Sequence, residues 1–523
     1  SARWCLSHAK LNWNDLDMIV VPWNPALNIQ NASKRWTENI RWRGEILTNV
    51  PANLMNIMND KPPSEFEMKW SGNTLKFLNH HECHSAFSFY QSPFSNANIV
   101  SIDGRGEDET LTISKASGKT IKKILSIKFP HSIGLFYSTF TDFLGFKVNS
   151  DEWKVMSLAS YSTKKNRYDE LVKKLIKKTK YGFELDLSYF AYYTFDKQKY
   201  MFSNKFVELF GEPRIKESKI TKRHQDIAGA MQRIFINICK HIFLSSKKLN
   251  NSNNLIFTGG SAMNSVLNGK IDNFKIYKNS YISYAPDDSG VAIGAALLAN
   301  FKYGKKVRKI KEVKTNYFGP SYKNNEIEKY LLNSKVNFTK PKNIHKEVAM
   351  GISKGNFVGW FNGKMEFGPR ALGNRSILAD PRISQNKRLL NFAVKFREGF
   401  RPFAPAVLKE FSHKIFEIDK KREVNFMERV YKIRKNWRTK IPAVTHVDNT
   451  GRLQTVSKNL NSNFYKLISE FHKITNIPLL LNTSFNLNDE PIVMSPNDAI
   501  RSFYSSGLDW LVLGPYLIKK NFK

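Results

Sequence analysis

Between Asn362 and Arg382 the chain reads NGKMEFGPRALGNRSILADPR, and this segment constrains the protein more than any other. Arg370, Arg375 and Arg382 are interleaved with Gly363, Gly368 and Gly373. Glycine lets backbone N–H groups come close to a ligand, and guanidinium forks grip phosphate or carboxylate oxygens in pairs. Such a loop suits a phosphorylated small molecule. As a bare pattern it also fits a basic loop facing water.

The rest of the composition narrows the choice. A chain of 523 residues with 41% hydrophobic content supports two or three domains with proper cores. No run of about 18 apolar residues occurs, so no membrane span is expected. Cys5, Cys83 and Cys239 are too few and too scattered for a disulfide framework or a zinc module, which points to a reducing cytoplasm. The 82 basic against 45 acidic residues leave +37, a charge compatible with nucleic acid, an anionic membrane or a phosphorylated substrate. The lysines are spread among Asn and Ile, so nucleic acid is not the expected partner. Lys164 to Lys180 carries Leu171, Leu175 and Ile176 at helical spacing and reads as an amphipathic helix with a solvated basic face.

Along the chain, a helix at Ala2 to Ala9 precedes a strand at Met18 to Pro22. Apolar runs at Asn98 to Asp103 and Leu255 to Gly260 end in polar or glycine residues, where α/β folds place ligands. A helical pattern covers His224 to Leu244. The charged, turn-rich passage from Phe301 to Lys314 reads as the end of a first domain. Asn356 to Phe361 leads into the signature, and two late strands are expected at Ile477 to Leu481 and Trp510 to Leu513.

Two constellations carry chemistry. His80 and His84 stand four residues apart, so on a helix both imidazoles leave one face and can share a metal ion, although such a pair also occurs on surfaces and at caps. Asp103 closes a strand in SIDGRGE, and Asp288 lies just before the small-residue helix Val291 to Leu298. Two histidines and a carboxylate with open positions make a site for a first-row metal, often Fe(II). In the second constellation, Lys395, Arg397 and Arg401 add cations to the signature, followed by His446 and Arg452 and by the polar loop Asn482-Thr483-Ser484 after a strand. His446 reads equally as a buried structural histidine or as a functional one.

Both constellations closely resemble the O-carbamoyltransferases that act on antibiotics and nodulation glycolipids. The resemblance rests on the signature, on a nearly unbroken match from Gly355 to Leu517, and on the ordered blocks HHECHSAFSFYQSPF, SIDGRGEDET, HSIGLFYSTFTDFLGF, EWKVMSLASY, FTGGSAMNSVLNGK and PDDSGVAIGAA. It implies an α/β chain with an actin/Hsp70-like (ASKHA) domain over 1–314 and a YrdC-like α/β domain over 315–523. It further implies that His80, His84 and Asp288 ligate a metal, Fe(II) or another divalent first-row ion, with Asp103 close to the bound ligand. Gly259 and Gly260 would approach a nucleotide, and Lys154 stands where the family has a basic residue. Arg370, Arg375, Lys395 and Arg401 would hold phosphates, and Asn482 and Ser484 would contact the carbamoyl or nucleotide part.

The implied reaction joins carbamoyl phosphate and Mg-ATP into carbamoyl-AMP and passes the carbamoyl group to a hydroxyl of a sugar or natural product. The alternative is a tRNA-modifying or kinase-like member of the actin-like ATPase superfamily. Ser157, Ser160 and Ser162 replace the Gly, Pro and Gly usual in their block, and the family's opening strand and phosphate loop have no counterpart before Ala2. The latter, with Ser1 in place of a methionine, leads to the expectation of a native polypeptide longer at its N-terminus by roughly 40 to 60 residues.

Overall fold

Apolar runs bounded by glycine or polar turns become the strands of two separate large sheets in the computed structural model, which describes residues 2–24, 66–70, 73–194, 199–304 and 312–520. The first unit comprises residues 1–155, 165–263 and 274–312, and the second comprises 156–164, 264–273 and 313–523. The chain therefore does not divide at one cut near 314. Two short stretches of the first half belong with the second.

In the first unit, β1 (Ile19–Val21), β2 (Phe66–Trp70) and β3 (Asn73–Phe77) form a small sheet in the order β1-β3-β2. Next come β4 (Asn96–Ile102), β5 (Glu109–Ser117) and β6 (Thr120–Lys128), then the separate hairpin β7 (Ile176–Lys178) and β8 (Phe183–Leu185), then β9 (Asn254–Thr258) and β10 (Asn279–Tyr281). The main sheet runs β10-β9-β4-β5-β6, with β10, β9 and β4 parallel and the rest antiparallel. Parallel strands buried on both faces read as apolar runs, as Leu255 to Phe257 does. Helices His80–Tyr90 and Val291–Tyr303 cover one face, placing Cys83, Ala86, Phe89, Ala295 and Leu298 in a common core with Ile99 and Ile256. The long helix Lys222–Leu249 starts at a capping box between Thr221 and His224 and buries Ile227, Met231, Ile234, Ile238 and Ile242 at helical spacing.

The stretch Lys164 to Lys180 departs from its expected form. It is helical only over Tyr168–Lys173, and Ile176–Lys178 pairs with Phe183–Leu185 instead. Pairing across the turn, where Thr179 N–H donates to Gly182 O at 3.0 Å, overrides local helical spacing.

The second unit is built on one mixed sheet of eight strands: β11 (Val358–Phe361), β12 (Arg375–Ala379), β13 (Ala404–Leu408), β14 (Arg429–Lys432), β15 (Thr450–Val456), β16 (Leu479–Ser484), β17 (Trp510–Leu513) and β18 (Tyr516–Lys519). Their order is β14-β15-β13-β16-β12-β11-β17-β18. Leu479, Leu480 and Leu481 lie at its centre, and helix Ser462–Thr475 packs Phe464, Leu467, Ile468 and Phe471 into the same core. Residues 264–273 join this unit through β14. Asn268 Nδ2 donates to Glu428 O at 2.8 Å, Arg429 Nη1 donates to Asn268 O at 2.9 Å, and Asp272 accepts from Arg422 at 2.6 Å and from Tyr431 at 3.0 Å.

Gly373 has φ +103°, and a Cβ there would lie 2.1 Å from the ring of the buried Phe464. Strain and overpacking together should make Gly373→Ala cost about 3 kcal/mol or more. Gly118 has φ +59° with nothing within 4 Å, so Gly118→Ala should cost only about 1 kcal/mol. Calorimetric melting of the two variants measures the difference.

Candidate functional site

The helix His80–Tyr90 begins under tight electrostatic control. Asn79 caps it by accepting the Glu82 N–H at 3.0 Å. The buried Glu107 carboxylate accepts the His80 N–H at 3.0 and 3.2 Å, Asn79 Nδ2 at 3.2 Å and the Asn24 N–H at 2.7 Å. An anion at a helix N-terminus is favourable. This one fixes where the first turn points.

From that turn the two imidazoles reach one spot. His84 Nε2 is 2.8 Å and His80 Nε2 3.2 Å from Asp103 Oδ2, and the two nitrogens are 3.1 Å apart. Asp288 Oδ1 lies 3.3 Å from His80 and 3.4 Å from His84. Donor atoms of all four residues fall within 4.8 Å of one another. Asp103 sits at the end of β4 in a socket that excludes side chains: a Cβ on Gly259, at φ +85°, would meet Ile102 O at 2.3 Å, and one on Gly260 would meet Asp103 Oδ1 at 2.8 Å. The two glycines expected beside a nucleotide thus admit Asp103.

These residues fit a first-row divalent ion. Imidazole nitrogens and carboxylate oxygens suit such metals, and His80 Nδ1 rests 3.2 Å from Pro22 O, the outer-shell brace that ligating histidines use. Burial would lower the His80 imidazole, but its hydrogen bonds and charge attraction to Asp103 and Asp288 outweigh that and lift it to about 10. Asp103 is pulled well below the usual carboxylate range: burial would raise it, and its hydrogen bonds to His80 and His84 prevail. Neighbouring His81 is buried, neither of its ring nitrogens has a hydrogen-bond partner among the described residues, and desolvation pushes it down to about 3. The family resemblance implied His80, His84 and Asp288 as ligands and placed Asp103 only nearby. The structure puts all four at ligand distance. Lys154 is not among them; its ammonium lies 3.1 Å from Asp151.

In the second unit the signature loop wraps a buried carboxylate. Glu366 Oε1 accepts the N–H groups of Leu372, Asn374 and Arg375 at 2.7, 2.8 and 3.3 Å. Trp360 Nε1 donates to Gly373 O at 3.0 Å, and Gln454 Nε2 donates to Leu372 O at 2.9 Å. The three arginines then part company. Arg375, expected on phosphates, is fully buried: Nη1 donates to the carbonyls of Asn362, Gly363 and Asn374 at 2.9, 3.2 and 3.0 Å, and Nη2 to that of Pro320 at 3.1 Å. Its plane lies 3.6 Å from the Phe361 ring centroid, so it pegs the loop rather than facing a ligand. Arg382 is tied to Asp380 at 2.6 Å. Arg370 is the half-buried one whose charge reaches Arg452.

Around Arg370 the cations crowd. Arg452 lies well below the usual arginine range, through burial first and then through Arg370 and Arg397. Arg397 is brought down to about 9 by burial and Arg401. Lys395 is depressed by burial, Arg397 and Arg401, and its Nζ donates to Asn486 Oδ1 at 2.7 Å, Ser484 Oγ at 3.3 Å and the Ser484 carbonyl. Arg401 also holds Glu398 at 3.0 Å. A set of buried and half-buried cations lowers its mutual repulsion by taking up a polyanion. Asn482 is 1% exposed and gives its Nδ2 to Ala371 O at 3.2 Å and Gln454 Oε1 at 2.9 Å, so it braces the loop. Arg397 and Arg452, cations that the sequence sets beside the signature without assigning them a role, join the cluster. Their signal was cationic residues beside strand ends, which composition alone does not separate from surface charge.

The family model for the carbamoyltransferase N-terminus matches residues 3–297, and that for the carbamoyltransferase C-terminus matches residues 349–520. The chain belongs to the carbamoyltransferase family and is an enzyme of that class. It is 35% identical to the uncharacterized protein sll1178 of Synechocystis sp., over 99% of this chain and 89% of that protein. It is 33% identical to nodulation protein NolNO of Sinorhizobium fredii, over 99% of this chain and 74% of that one. With nodulation protein NolO of Bradyrhizobium diazoefficiens it shares 36% identity over 85% of this chain and 79% of that one. No helix among the described residues is long and apolar enough to cross a membrane.

Removing one donor from a site of this size should remove most of its metal affinity. His84→Ala and Asp103→Asn are each expected to lose at least about tenfold in affinity for Fe(II) or Zn(II) while keeping the wild-type circular dichroism spectrum. Metal analysis after equilibrium dialysis measures it, and full occupancy in both variants would show the donors to be wrongly assigned.

Proposed function

We propose that the protein is an ATP-dependent O-carbamoyltransferase that makes carbamoyl-AMP in a YrdC-like second unit and uses it in an actin/Hsp70-like first unit. The observation that carries this reading is the contrast between two sites: a four-donor metal-type cluster on one unit and a carboxylate-poor cation cluster on the other. A single kinase-like site would not require the second.

Bringing carbamoyl phosphate to ATP places two polyanions together, and charge neutralisation and in-line positioning are what the cation cluster supplies. For the atoms to balance, the phosphoryl group of carbamoyl phosphate leaves to water as inorganic phosphate. A carbamate oxygen then attacks the α-phosphorus of Mg-ATP, and pyrophosphate departs. Arg370, Arg397, Arg401 and Arg452 are the cations that would bear on the phosphates, with Lys395 holding the Ser484 loop in place. Carbamoyl-AMP then meets an acceptor hydroxyl of a sugar or natural product. The hydroxyl oxygen bonds to the carbonyl carbon, the carbon–oxygen bond to AMP breaks with its electron pair staying on the AMP phosphate, and the hydroxyl proton passes to solvent. Held by His80, His84, Asp103 and Asp288, Fe(II) or another divalent first-row ion would supply Lewis-acid polarisation.

The two half-reactions separate by mutation. An oriented guanidinium on a polyphosphate contributes about 2 to 4 kcal/mol to the transition state, roughly a hundredfold or more in rate. Arg370→Ala should therefore abolish carbamoyl-phosphate-dependent pyrophosphate release, whereas Asp288→Ala should spare that release and stop the mass gain of one carbamoyl group on an acceptor sugar. Equal loss of pyrophosphate release in both variants would favour one shared site. Absence of release from the unmodified enzyme would refute the adenylate.

A further inference from the structure

The loop after β4 carries a second carboxylate, which is not among the four donors and yet joins the pieces of chain that frame them. Glu107 follows Asp103 in that loop and is buried. Its oxygens accept the His80 N–H at 3.0 Å where the ligand helix starts, Asn79 Nδ2 at 3.2 Å and, 83 residues away in sequence, the Asn24 N–H at 2.7 Å. Asn79 cannot turn to offer its oxygen instead, because Oδ1 already accepts the Glu82 N–H. Three N–H donors from separate groups thus converge on one carboxylate.

The segment that Glu107 tethers touches a ligand directly. Val21 ends β1 opposite Phe77 and accepts the Leu78 N–H at 2.9 Å, so Pro22, Trp23 and Asn24 follow a strand paired to the chain that enters the helix. Pro22 O lies 3.2 Å from His80 Nδ1, and the Trp23 ring meets the imidazole edge-on with centroids 5.5 Å apart. Asn24 is fully buried. A carbonyl oxygen only accepts, so the Pro22 contact places a proton on Nδ1 and leaves Nε2 toward His84, Asp103 and Asp288.

A cation at Nε2 draws electron density from the ring and makes Nδ1–H a stronger donor, so the Pro22 contact gains when the site fills. A contact that strengthens in one state couples two events, and the coupling is reciprocal: what loosens residues 22–24 weakens metal binding by the same factor. We infer that Glu107 is a positioning residue for the metal-type site, acting through residues 22–24, and that docking of this segment and metal binding form one linked equilibrium. The inference rests on the reading that His80, His84, Asp103 and Asp288 hold a divalent ion.

Zinc(II), which is redox-inert, is the probe, and hydrogen–deuterium exchange of the full chain read by mass spectrometry follows the peptide containing residues 19–24. Saturating zinc should slow exchange there in the wild type by about tenfold or more, and should leave residues 450–456 in the second unit unchanged. The same zinc concentration should not slow residues 19–24 in His84→Ala. Glu107→Gln keeps the volume but replaces one accepting oxygen with an NH2 that cannot accept. It should lose about tenfold or more in zinc affinity by equilibrium dialysis, with the zinc-dependent slowing at 19–24 reduced to less than about twofold. A purely structural role would raise exchange with and without zinc alike and leave their ratio untouched. Zinc uptake by the wild type with no slowing at 19–24 overturns the inference, as does a Glu107→Gln protein with wild-type zinc affinity or the wild-type ratio. Should Glu107→Gln fail to fold, the wild-type comparison and Trp23→Ala decide: affinity and slowing should shrink together in Trp23→Ala, and full retention of both would overturn the inference. Absence of zinc uptake by the wild type would instead refute the four-donor reading, and the inference with it, a result that dialysis alone identifies.

Discussion

Two imidazoles and two carboxylates are held at hydrogen-bonding distance by backbone that cannot yield. Asp103 lies at the end of β4, and Gly134, Gly259 and Gly260 leave no room for a Cβ against it: the nearest approaches would be 2.5 Å to Asp103 O, 2.3 Å to Ile102 O and 2.8 Å to Asp103 Oδ1. Much of the first unit serves this placement. The parallel run β10-β9-β4 brings the strand ends together, Glu107 anchors the first turn of the ligand helix, and the helix after Asp288 packs through Ala295 and Leu298 into the same core. Preorganised donors cost no reorganisation when a charged partner arrives.

The second unit solves the opposite electrostatic problem. Its cations repel one another, so the backbone that carries them must be braced independently of any ligand. Glu366 supplies that brace from within, accepting three N–H groups of the signature loop, while Arg375 is spent on four carbonyls of the same region. A buried arginine whose Nη1 and Nη2 both donate to carbonyl oxygens is a structural cross-link with a charge on it. Burial lowers it only to about 10, so it remains cationic and adds to the local field.

The parts of this architecture that local pattern governs were legible in the sequence. The helix at His80, the strand ends at Asp103 and Thr258, and the strand Trp510–Leu513 follow from periodicity and turn residues. What escaped is decided by distant partners. Nothing in the spacing of Arg370, Arg375 and Arg382 tells which guanidinium turns inward, because that depends on the Pro320 carbonyl and on the pairing of β12 with β11. Residues 264–273 look like a polar continuation of the first unit, and only their bonds to Glu428 and Arg429 on or beside β14 claim them for the second. Lys164 to Lys180 shows helical spacing for the same reason that many short β segments do: a few apolar residues satisfy both periods, and the hairpin partner decides.

Charge and direction divide the labour of recognition. A guanidinium cluster gains energy from any phosphate it can reach, so adding cations strengthens binding without sharpening choice. Sharpness needs a group whose hydrogen-bonding sense is fixed and whose mismatch is costly.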